Sequence, residues 1–410
     1  MVGKERLEDL AIAGGPSAFP QPLHVGRPNI GDRARLLERI NDLLDRRWLT
    51  NDGRYVRELE AELARRIGVR HCLTVCNATL GLQLAARALD LSGEVIVPAF
   101  TFVATAHALQ WLGIAPVFAD IDPHTHNIDP AHVEALVNAR TTGILGVHLW
   151  GRACDVRALA AIARRHRLRL LFDAAHAFGC SHDGRALGGF GDAEVLSFHA
   201  TKYVNSFEGG AVTTDDDALA ARVRAMRNFG LAGADRVVSL GTNAKMSEVA
   251  AAMGLTSIEC AEDVAAINRG HHAAYRRGLA GVPGLAVVTY PDGERHNHQF
   301  VVLEIDAGAA GLHRDDLDEV LRAEGILARR YFYPGCHRAE PYRSRPIASE
   351  LPHTDAVAAR VLSLPTGPAV DVESIALICR IIRLAVDAAD RVRAHVANAR
   401  RGRGAEGVLT

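Results

Sequence analysis

The sequence contains two short apolar runs that end at polar side chains, Leu168-Arg-Leu-Leu-Phe-Asp173 and Ala193-Glu-Val-Leu-Ser-Phe198, and the second leads directly to His199-Ala-Thr-Lys202. Both runs have the length and the apolar character of strands that are covered on both faces of a sheet. In open α/β sheets, ligands bind beyond the carboxyl ends of the strands. The sequence therefore predicts that Asp173 and Lys202 project into one cleft.

The same alternation of short apolar runs and helical patterns extends from residue 70 to 230, as expected for repeated βαβ units. Helices are predicted from Leu80 to Leu89, after Asp129-Pro130 and after Asp155, where capping residues precede apolar periodicity. Four further strands are predicted, at 94–100, 116–120, 142–148 and 209–214. The sequence thus predicts an α/β domain with a mostly parallel sheet.

The pattern changes after a long helical stretch from Ser247 to Arg277. Strands are predicted at 284–290, 299–305 and 325–333, with a helix from Arg314 and two closing helices. This order is typical of a smaller α+β domain. We therefore predict an N-terminal segment (1–30), a large domain (31–260), a small C-terminal domain (261–400) and a tail (401–410) that frays into solvent.

Composition narrows the class of protein. There are 47 basic and 48 acidic residues among 410, with a net charge of -1, so nucleic acid or an anionic membrane is not expected as the main partner. The seven scattered cysteines form no Cys-x-x-Cys pair and no Cys/His cluster, which predicts reduced thiols without disulfides or bound metal. With no signal-peptide pattern and no membrane-spanning apolar run, a cytoplasmic protein without a membrane partner is predicted.

Lysine is scarce in this chain. Only Lys4, Lys202 and Lys245 are lysines, and the other 44 basic residues are arginine. Coding bias explains such a ratio for residues without a special role. Lys202 is different because its predicted cleft would desolvate the amine and lower its pKa, as a Schiff-base lysine requires.

Other side chains at predicted strand and helix ends suit pyridoxal phosphate. Asp173 could pair with the ring nitrogen, Thr79 and Ser197 could bind the phosphate at a helix start, and Phe102 could stack on the ring. Each has an ordinary alternative, because aspartate and threonine commonly cap turns and helices and phenylalanine commonly packs in a core. It is their combination in this order that predicts the cofactor.

These segments resemble the DegT/DnrJ/EryC1/StrS family of pyridoxal-phosphate sugar aminotransferases. The resemblance covers nearly the whole chain and rests on the following stretches: 49–53, 76–79, 97–105, 116–123, 172–179, 197–202, 208–210, 227–230 and 241–246. It implies the pyridoxal-phosphate-dependent transferase fold of type I, like that of aspartate aminotransferase.

The resemblance also implies residue roles. Lys202 would be the Schiff-base lysine and proton shuttle, Asp173 the partner of the ring nitrogen, and His176 a neighbour of the ring hydroxyl. The other cofactor-binding residues implied are Ala78, Thr79, Leu80 through its backbone, Phe102, Ser197 and Asn243. Many members have glycine at the position of Ala78. Asn243 would reach the cofactor of the neighbouring subunit in a homodimer. Lys245 is interpreted as a structural or interface charge.

The family resemblance further implies L-glutamate as amino donor and a nucleotide-linked keto-deoxysugar as acceptor. The stretch Arg329-Arg-Tyr-Phe-Tyr-Pro-Gly-Cys-His337, followed by Glu340-Pro-Tyr342, resembles members that aminate C-4 of dTDP-4-keto-6-deoxy-D-glucose. Its candidate substrate-binding residues are Arg329, Tyr331, Tyr333 and His337. In another branch of the family a histidine replaces the Schiff-base lysine and the enzyme dehydrates sugars, and Lys202 argues against that branch.

Several alternatives stay open on sequence alone. The aromatic run could be a strand of the small domain, and Arg329 and Arg330 could pair with acidic side chains. The enzyme could aminate C-3, or the chain could be a non-catalytic regulator that binds the cofactor. A nicotinamide oxidoreductase is disfavoured because no G-x-G-x-x-G follows an early strand.

Overall fold

The computed structural model describes residues 3–344 and 349–406, with side chains to residue 401. Its strands are β1 (Leu23–His24), β2 (His71–Val75), β3 (Glu94–Pro98), β4 (Ala115–Ala119), β5 (Thr141–Val147), β6 (Arg169–Asp173), β7 (Ser181–His182), β8 (Arg185–Ala186), β9 (Ala193–Ser197), β10 (Gly210–Thr214), β11 (Leu285–Val287), β12 (Val301–Ile305), β13 (Ile326–Leu327) and β14 (Val361–Leu364).

The α-helices of the described residues are α1 (Arg33–Arg46), α2 (Arg54–Ile67), α3 (Ala78–Ala88), α4 (Ala104–Gln110), α5 (Pro130–Leu136), α6 (Val156–His166), α7 (Asp217–Met226), α8 (Glu248–Glu259), α9 (Ala261–Gly278), α10 (Ala307–Ala310), α11 (Arg314–Ala323), α12 (Glu340–Arg343), α13 (Pro352–Arg360), α14 (Val372–Asp387) and α15 (Ala389–Glu406). In this part of the chain, no helix combines the length and the hydropathy needed to cross a membrane.

The central sheet has seven strands in the order β2-β10-β9-β6-β5-β3-β4, and β10 runs in the opposite direction to the other six. The predicted α/β class with a mostly parallel sheet is therefore confirmed. β2 was not predicted, because His71 and Thr74 interrupt its apolar pattern. Thr74 is nevertheless buried, because its backbone N–H and its hydroxyl both donate to Glu60 Oε1, at 2.9 and 3.0 Å.

The register of the sheet aligns the last residues of β5 and β6 with the C-terminal half of β9. Val147 of β5 pairs with Asp173 of β6, which in turn pairs with Val195 of β9. The polypeptide then turns back at once after β9, since the backbone N–H of Lys202 donates to the carbonyl of His199 at 2.8 Å. The side chains that follow these strands therefore meet at one edge of the sheet.

The C-terminal part contains the antiparallel sheet β11-β12-β14, covered by α9, α11, α14 and α15. The predicted strand at 325–333 is wrong beyond β13. Arg329 forms only an isolated bridge with Ser363, and the chain then turns, with the backbone N–H of Tyr333 donating to Arg330. The stretch from Ser247 to Arg277 is two helices, α8 and α9, and β14 was not predicted.

The N-terminal segment packs onto the C-terminal part. Leu7, Leu10 and Phe19 lie in its apolar core, and β1 pairs with β13. Lys4 and Glu324 form a fully buried ion pair at 2.9 Å, and the Lys4 ammonium also donates to the carbonyls of Asp9 and Pro16. Breaking a buried pair of this kind is strongly destabilising, because it leaves an uncompensated charge.

The predicted domain boundaries, 1–30, 31–260 and 261–400, stay predictions. The helix α15 continues to Glu406, so the first residues of the predicted tail (401–410) are helical. Residues 407–410 lie outside the described part of the chain, and the predicted fraying of the tail is therefore not tested.

Candidate active site

A cavity of about 360 Å³ opens beyond the carboxyl ends of β5, β6 and β9. This volume is within the range of small-molecule sites. Nine of the residues predicted for the site line it: Ala78, Thr79, Phe102, Asp173, His176, Ser197, Lys202, Arg329 and Tyr331. The structure therefore brings most of the predicted site together, including side chains that are far apart in the sequence.

Lys202 is the amine of this cavity. Burial lowers its pKa to about 8, and the nearby carboxylate of Asp173 opposes that shift. Its Nζ lies 5.8 Å from the ring centre of Phe300. A substantial fraction of the amine is therefore neutral near physiological pH, and the neutral amine is the form that attacks a carbonyl carbon.

Asp173 is the carboxylate of the cavity and is 6% exposed. Its Oδ2 accepts from the Thr105 hydroxyl at 2.8 Å, and its Oδ1 accepts from the backbone N–H of Ala175 at 3.1 Å. Burial raises the pKa of Asp173, while these two hydrogen bonds and the charge of Lys202 counteract that rise.

His176 is buried and has a defined tautomer. The backbone N–H of Trp150 donates to its Nδ1 at 3.2 Å, so the ring proton must be on Nε2. Burial, followed by the charge of Lys202, lowers the pKa of His176 well below its usual value. The ring lies nearly parallel to those of Trp150 and Phe332. His176 is therefore a neutral hydrogen-bond donor at the edge of the cavity.

The start of α3 also lines the cavity. The N–H groups in the first turn of a helix have no intrahelical acceptor, which makes this end suitable for an anion. Asn77 caps the helix and accepts from the backbone N–H of Leu80 at 2.9 Å. Thr79 and Ser197 also line the cavity here. Ala78, as the first residue of a regular helix, needs none of the conformational freedom of glycine.

Gly210 allows this helix start to approach the sheet. A Cβ at Gly210 would lie 2.7 Å from the backbone nitrogen of Ala78 and 2.8 Å from the carbonyl oxygen of Leu196. Any side chain at this position would therefore push α3 away from the strand that carries Ser197.

Four predicted site residues lie outside the lining of the cavity. The backbone N–H of Leu80 already donates to Asn77. Asn243 is exposed and forms an isolated β-bridge with Asn228. Tyr333 is 52% exposed, and His337 is buried beside Asp355, with 3.1 Å between His337 Nε2 and Asp355 Oδ1. Their roles in binding stay predictions.

The two adjacent arginines separate. Arg330 pairs with Asp315 at 3.2 Å and lies over the ring of Tyr333, outside the cavity, whereas Arg329 lines the cavity. The alternative of pairing with acidic side chains is therefore observed for Arg330. Tyr331 and Phe332 face the large domain and do not continue a strand.

Several lining residues were not predicted. Gln299, Phe300 and Phe332 come from the C-terminal part of the chain, and Gly26 comes from the N-terminal segment. No local pattern marks them. Thr105, which lies behind the lining and bonds to Asp173, could have been found, because it stands only three residues after Phe102.

Outside the cavity, His182, Asp183 and Glu294 place one potential metal ligand each within 4.8 Å of one another. Their polar atoms already have protein partners: Asp183 pairs with Arg157 at 2.7 Å, and Glu294 accepts from the backbone N–H of Asp183 at 2.6 Å. We therefore assign no ion to this group.

The residues of the cavity fit pyridoxal phosphate. They supply an amine of lowered pKa, a buried carboxylate, a neutral imidazole donor and a helix start with two hydroxyls for a phosphate. Phe102, which is 56% exposed, offers an aromatic face to a planar ring. This fold and site define a pyridoxal-phosphate-dependent transferase of fold type I.

Comparisons with known proteins agree with this class. The profile of the DegT/DnrJ/EryC1/StrS aminotransferase family matches residues 31–383. A dTDP-4-amino-4,6-dideoxy-D-glucose transaminase of Shigella dysenteriae is 34% identical over 346 residues, which are 84% of this chain and 94% of the relative. A GDP-perosamine synthase of Vibrio cholerae is 30% identical over 348 residues, again 84% of this chain and 94% of the relative.

Among solved structures, that of DesI in the presence of its TDP-sugar product is 55% identical to this chain, with a TM-score of 0.91 over 96% of this chain and 99% of DesI. The chain belongs to the DegT/DnrJ/EryC1/StrS aminotransferase family. It is a pyridoxal-phosphate-dependent sugar aminotransferase, which confirms the resemblance found in the sequence.

The lowered pKa of Lys202 gives a pH dependence that can be measured. In the cofactor-free protein, we expect labelling of Lys202 by an amine-acetylating reagent to rise with pH and reach half its maximum near pH 8, because only the neutral amine reacts. The labelled peptide is quantified by mass spectrometry. In Asp173→Asn the midpoint should move to lower pH, because the charge that favours the ammonium is removed. A midpoint above pH 10, as for an ordinary lysine, would contradict the site.

Proposed function

We propose that this enzyme transfers the amino group of L-glutamate to C-4 of dTDP-4-keto-6-deoxy-D-glucose, in the biosynthesis of an amino sugar. The observation that carries the proposal is the 55% identity, over 96% of the chain, to DesI, whose structure was determined with a TDP-sugar product. The position is supported by relatives in Shigella dysenteriae and Escherichia coli that are named dTDP-4-amino-4,6-dideoxy-D-glucose transaminases.

When bound, pyridoxal phosphate supplies an aldehyde that bonds to amines and a ring that accepts electrons from the neighbouring carbon. Lys202 would first bind the cofactor and, once released by the amino donor, move the proton at the reacting carbon as a general base and acid. Asp173 would hold the proton on the ring nitrogen, and His176 would donate from Nε2 to the ring oxygen. Phe102 and Phe300, which both line the cavity, would shield part of the ring from water.

A GDP-linked keto sugar is the second candidate substrate, because a relative at 30% identity is named GDP-perosamine synthase. Amination at C-3 and a non-catalytic regulatory role are the remaining alternatives from the sequence. One experiment separates these outcomes.

We expect purified protein, incubated with L-glutamate, to convert dTDP-4-keto-6-deoxy-D-glucose into a 4-amino sugar, identified by NMR of the carbon that carries nitrogen. The panel also contains the matching GDP-linked 4-keto sugar and a dTDP-linked 3-keto sugar. Lys202→Arg is the control, because it keeps the positive charge but cannot form an imine. It should lower the rate about a thousandfold.

Preference for the GDP sugar would overturn the proposed nucleotide, and a 3-amino product would overturn the proposed position. A protein that binds the cofactor but aminates none of these sugars would support the regulatory alternative.

Arg329 is proposed to bind an anionic group of a substrate, either a carboxylate of the amino donor or the diphosphate of the sugar nucleotide. It lines the same cavity as Lys202, and its backbone is fixed by hydrogen bonds to Ser363 in both directions, at 2.8 and 3.0 Å. The planar guanidinium of arginine suits bidentate contacts with carboxylate or phosphate oxygens.

Arg329→Gln should raise KM for one substrate about tenfold or more, because it removes a charge-assisted contact. The KM that rises, measured in steady-state kinetics with each substrate varied in turn, identifies the anion. Arg330→Gln is the matched control, since that side chain is paired outside the cavity, and its KM values should stay near those of the unaltered enzyme. Equal effects of the two substitutions would contradict the assignment.

The functional unit is proposed to be a homodimer in which Asn243 serves the active site of the partner. Asn243 is exposed and lies outside the cavity of its own chain. Near it in the sequence, Phe229, Val238 and Leu240 are exposed by 52%, 52% and 77%. Apolar side chains exposed together commonly mark a protein interface.

Complementation between two inactive variants tests this shared site. We expect a refolded equimolar mixture of Lys202→Arg and Asn243→Asp to recover about a quarter of the original activity. Half of the randomly formed dimers are mixed, and each mixed dimer has one intact site if the residues come from different chains. Each variant alone should be nearly inactive, because Lys202→Arg cannot form an imine and the carboxylate of Asn243→Asp repels the phosphate. No recovery in mixed dimers, verified by differential tagging, would place Asn243 in the site of its own chain or in none.

A further inference from the structure

A chain of hydroxyl groups reaches the Asp173 carboxylate from the wall of the cavity. The Thr105 hydroxyl lies 2.8 Å from Asp173 Oδ2, and the Thr101 hydroxyl lies 3.1 Å from that of Thr105. All three side chains are buried. Thr105 lies in the first turn of α4, and Thr101 lies three residues before that helix, next to Phe102.

The donor and the acceptor of each of these hydrogen bonds follow from the carboxylate of Asp173. An ionised carboxylate can only accept hydrogen bonds, so the Thr105 proton must point to Asp173. Thr101 must then donate to the Thr105 oxygen. Aligned donors of this kind polarise one another, which strengthens the last hydrogen bond.

Burial makes this hydrogen bond important. A carboxylate that is 6% exposed is costly to keep charged, and burial is the largest influence on the pKa of Asp173. A protonated carboxyl group could no longer stabilise a proton on the ring nitrogen of the cofactor. Hydrogen bonds to the charged form favour that form.

We propose that Thr105 is a positioning residue of this enzyme, whose hydroxyl keeps the buried Asp173 carboxylate ionised and oriented for the ring nitrogen of the cofactor, while Thr101 fixes the direction of that hydroxyl. The inference rests on the cofactor class and not on which sugar is aminated. It therefore survives if the proposed substrate is wrong.

Two titratable groups also act on Asp173. Lys202 faces it across the cavity, and His148, at the end of β5, acts from the neighbouring strand, and both lower its pKa. Neither is changed by a substitution at position 105. The Ala175 N–H bond to Oδ1 also stays in place, so the variant removes one hydrogen bond from a defined set.

Cofactor binding gives a readout that is independent of turnover. Pyridoxal phosphate is titrated into cofactor-free protein, and the dissociation constant is measured from the visible absorption of the bound cofactor. We expect Thr105→Val to weaken binding by about ten- to a hundredfold, the usual range for a hydrogen bond to a charged group. Thr105→Ser, which restores the hydroxyl, should bind within about threefold of the unaltered protein.

The pH profile separates this role from a loss of packing. Losing a hydrogen bond that favours the charged carboxylate raises the pKa of Asp173. As the pH is lowered, Thr105→Val should therefore lose affinity for the cofactor at a higher pH than the unaltered protein does. Thr101→Val should shift the profile in the same direction by a smaller amount, and it tests the proposal if Thr105→Val does not fold.

Thr213→Val is the matched control, because Thr213 is equally buried and donates its hydroxyl to the backbone carbonyl of Glu194, at 3.2 Å. It should lose some stability and keep both affinity and pH profile. Unchanged affinity in Thr105→Val, equal loss in Thr213→Val, or failure of Thr105→Ser to restore binding would each overturn the proposal.

Discussion

The interaction between Lys202 and Asp173 is the constraint on which the site depends, because one poorly solvated cavity must hold a reactive amine and a charged carboxylate. Burial favours the neutral form of both, and each charge partly offsets the effect on the other. The hydrogen bonds made by the two groups differ. Thr105 and Ala175 both donate to Asp173, whereas the amine faces the ring of Phe300. The carboxylate can thus stay charged while the amine easily loses its proton.

The sheet fixes where these groups stand. Asp173 is the last residue of β6, and it pairs with the last residue of β5 and with Val195, two residues before the end of β9. The antiparallel strand β10 then contributes Gly210, whose missing side chain lets the start of α3 come close. The carboxylate and the helix start are therefore positioned by regular backbone pairing. Lys202, in contrast, stands on the turn after β9, outside regular secondary structure.

The parts of the fold and the site that could be predicted are those with local signals. Buried strands, helix caps and the polar residues after strand ends are contiguous in the sequence, and Thr79, Phe102, Asp173, Ser197 and Lys202 of the cavity were found in this way. Gln299 and Gly26 could not be found, because their approach to the cavity depends on how the C-terminal part and the N-terminal segment pack. The strand predicted at 325–333 was wrong beyond β13 for a related reason. The apolar pattern there comes from Tyr331 and Phe332, which pack against Trp150 and the large domain and do not pair in a sheet.

The scarcity of lysine acquires a physical meaning from the structure. The position of Lys202 requires an amine that can lose its proton, and the guanidinium of arginine cannot lose its proton in a protein. Lys4 is enclosed with Glu324 and two backbone carbonyls around a single nitrogen, an arrangement that suits a compact ammonium and not the planar fork of a guanidinium. Lys245 donates to Asn228 and lies 4.7 Å from the ring centre of Phe229. In a chain that otherwise uses arginine, at least two of the three lysines therefore stand where the shape or the proton chemistry of an amine is required.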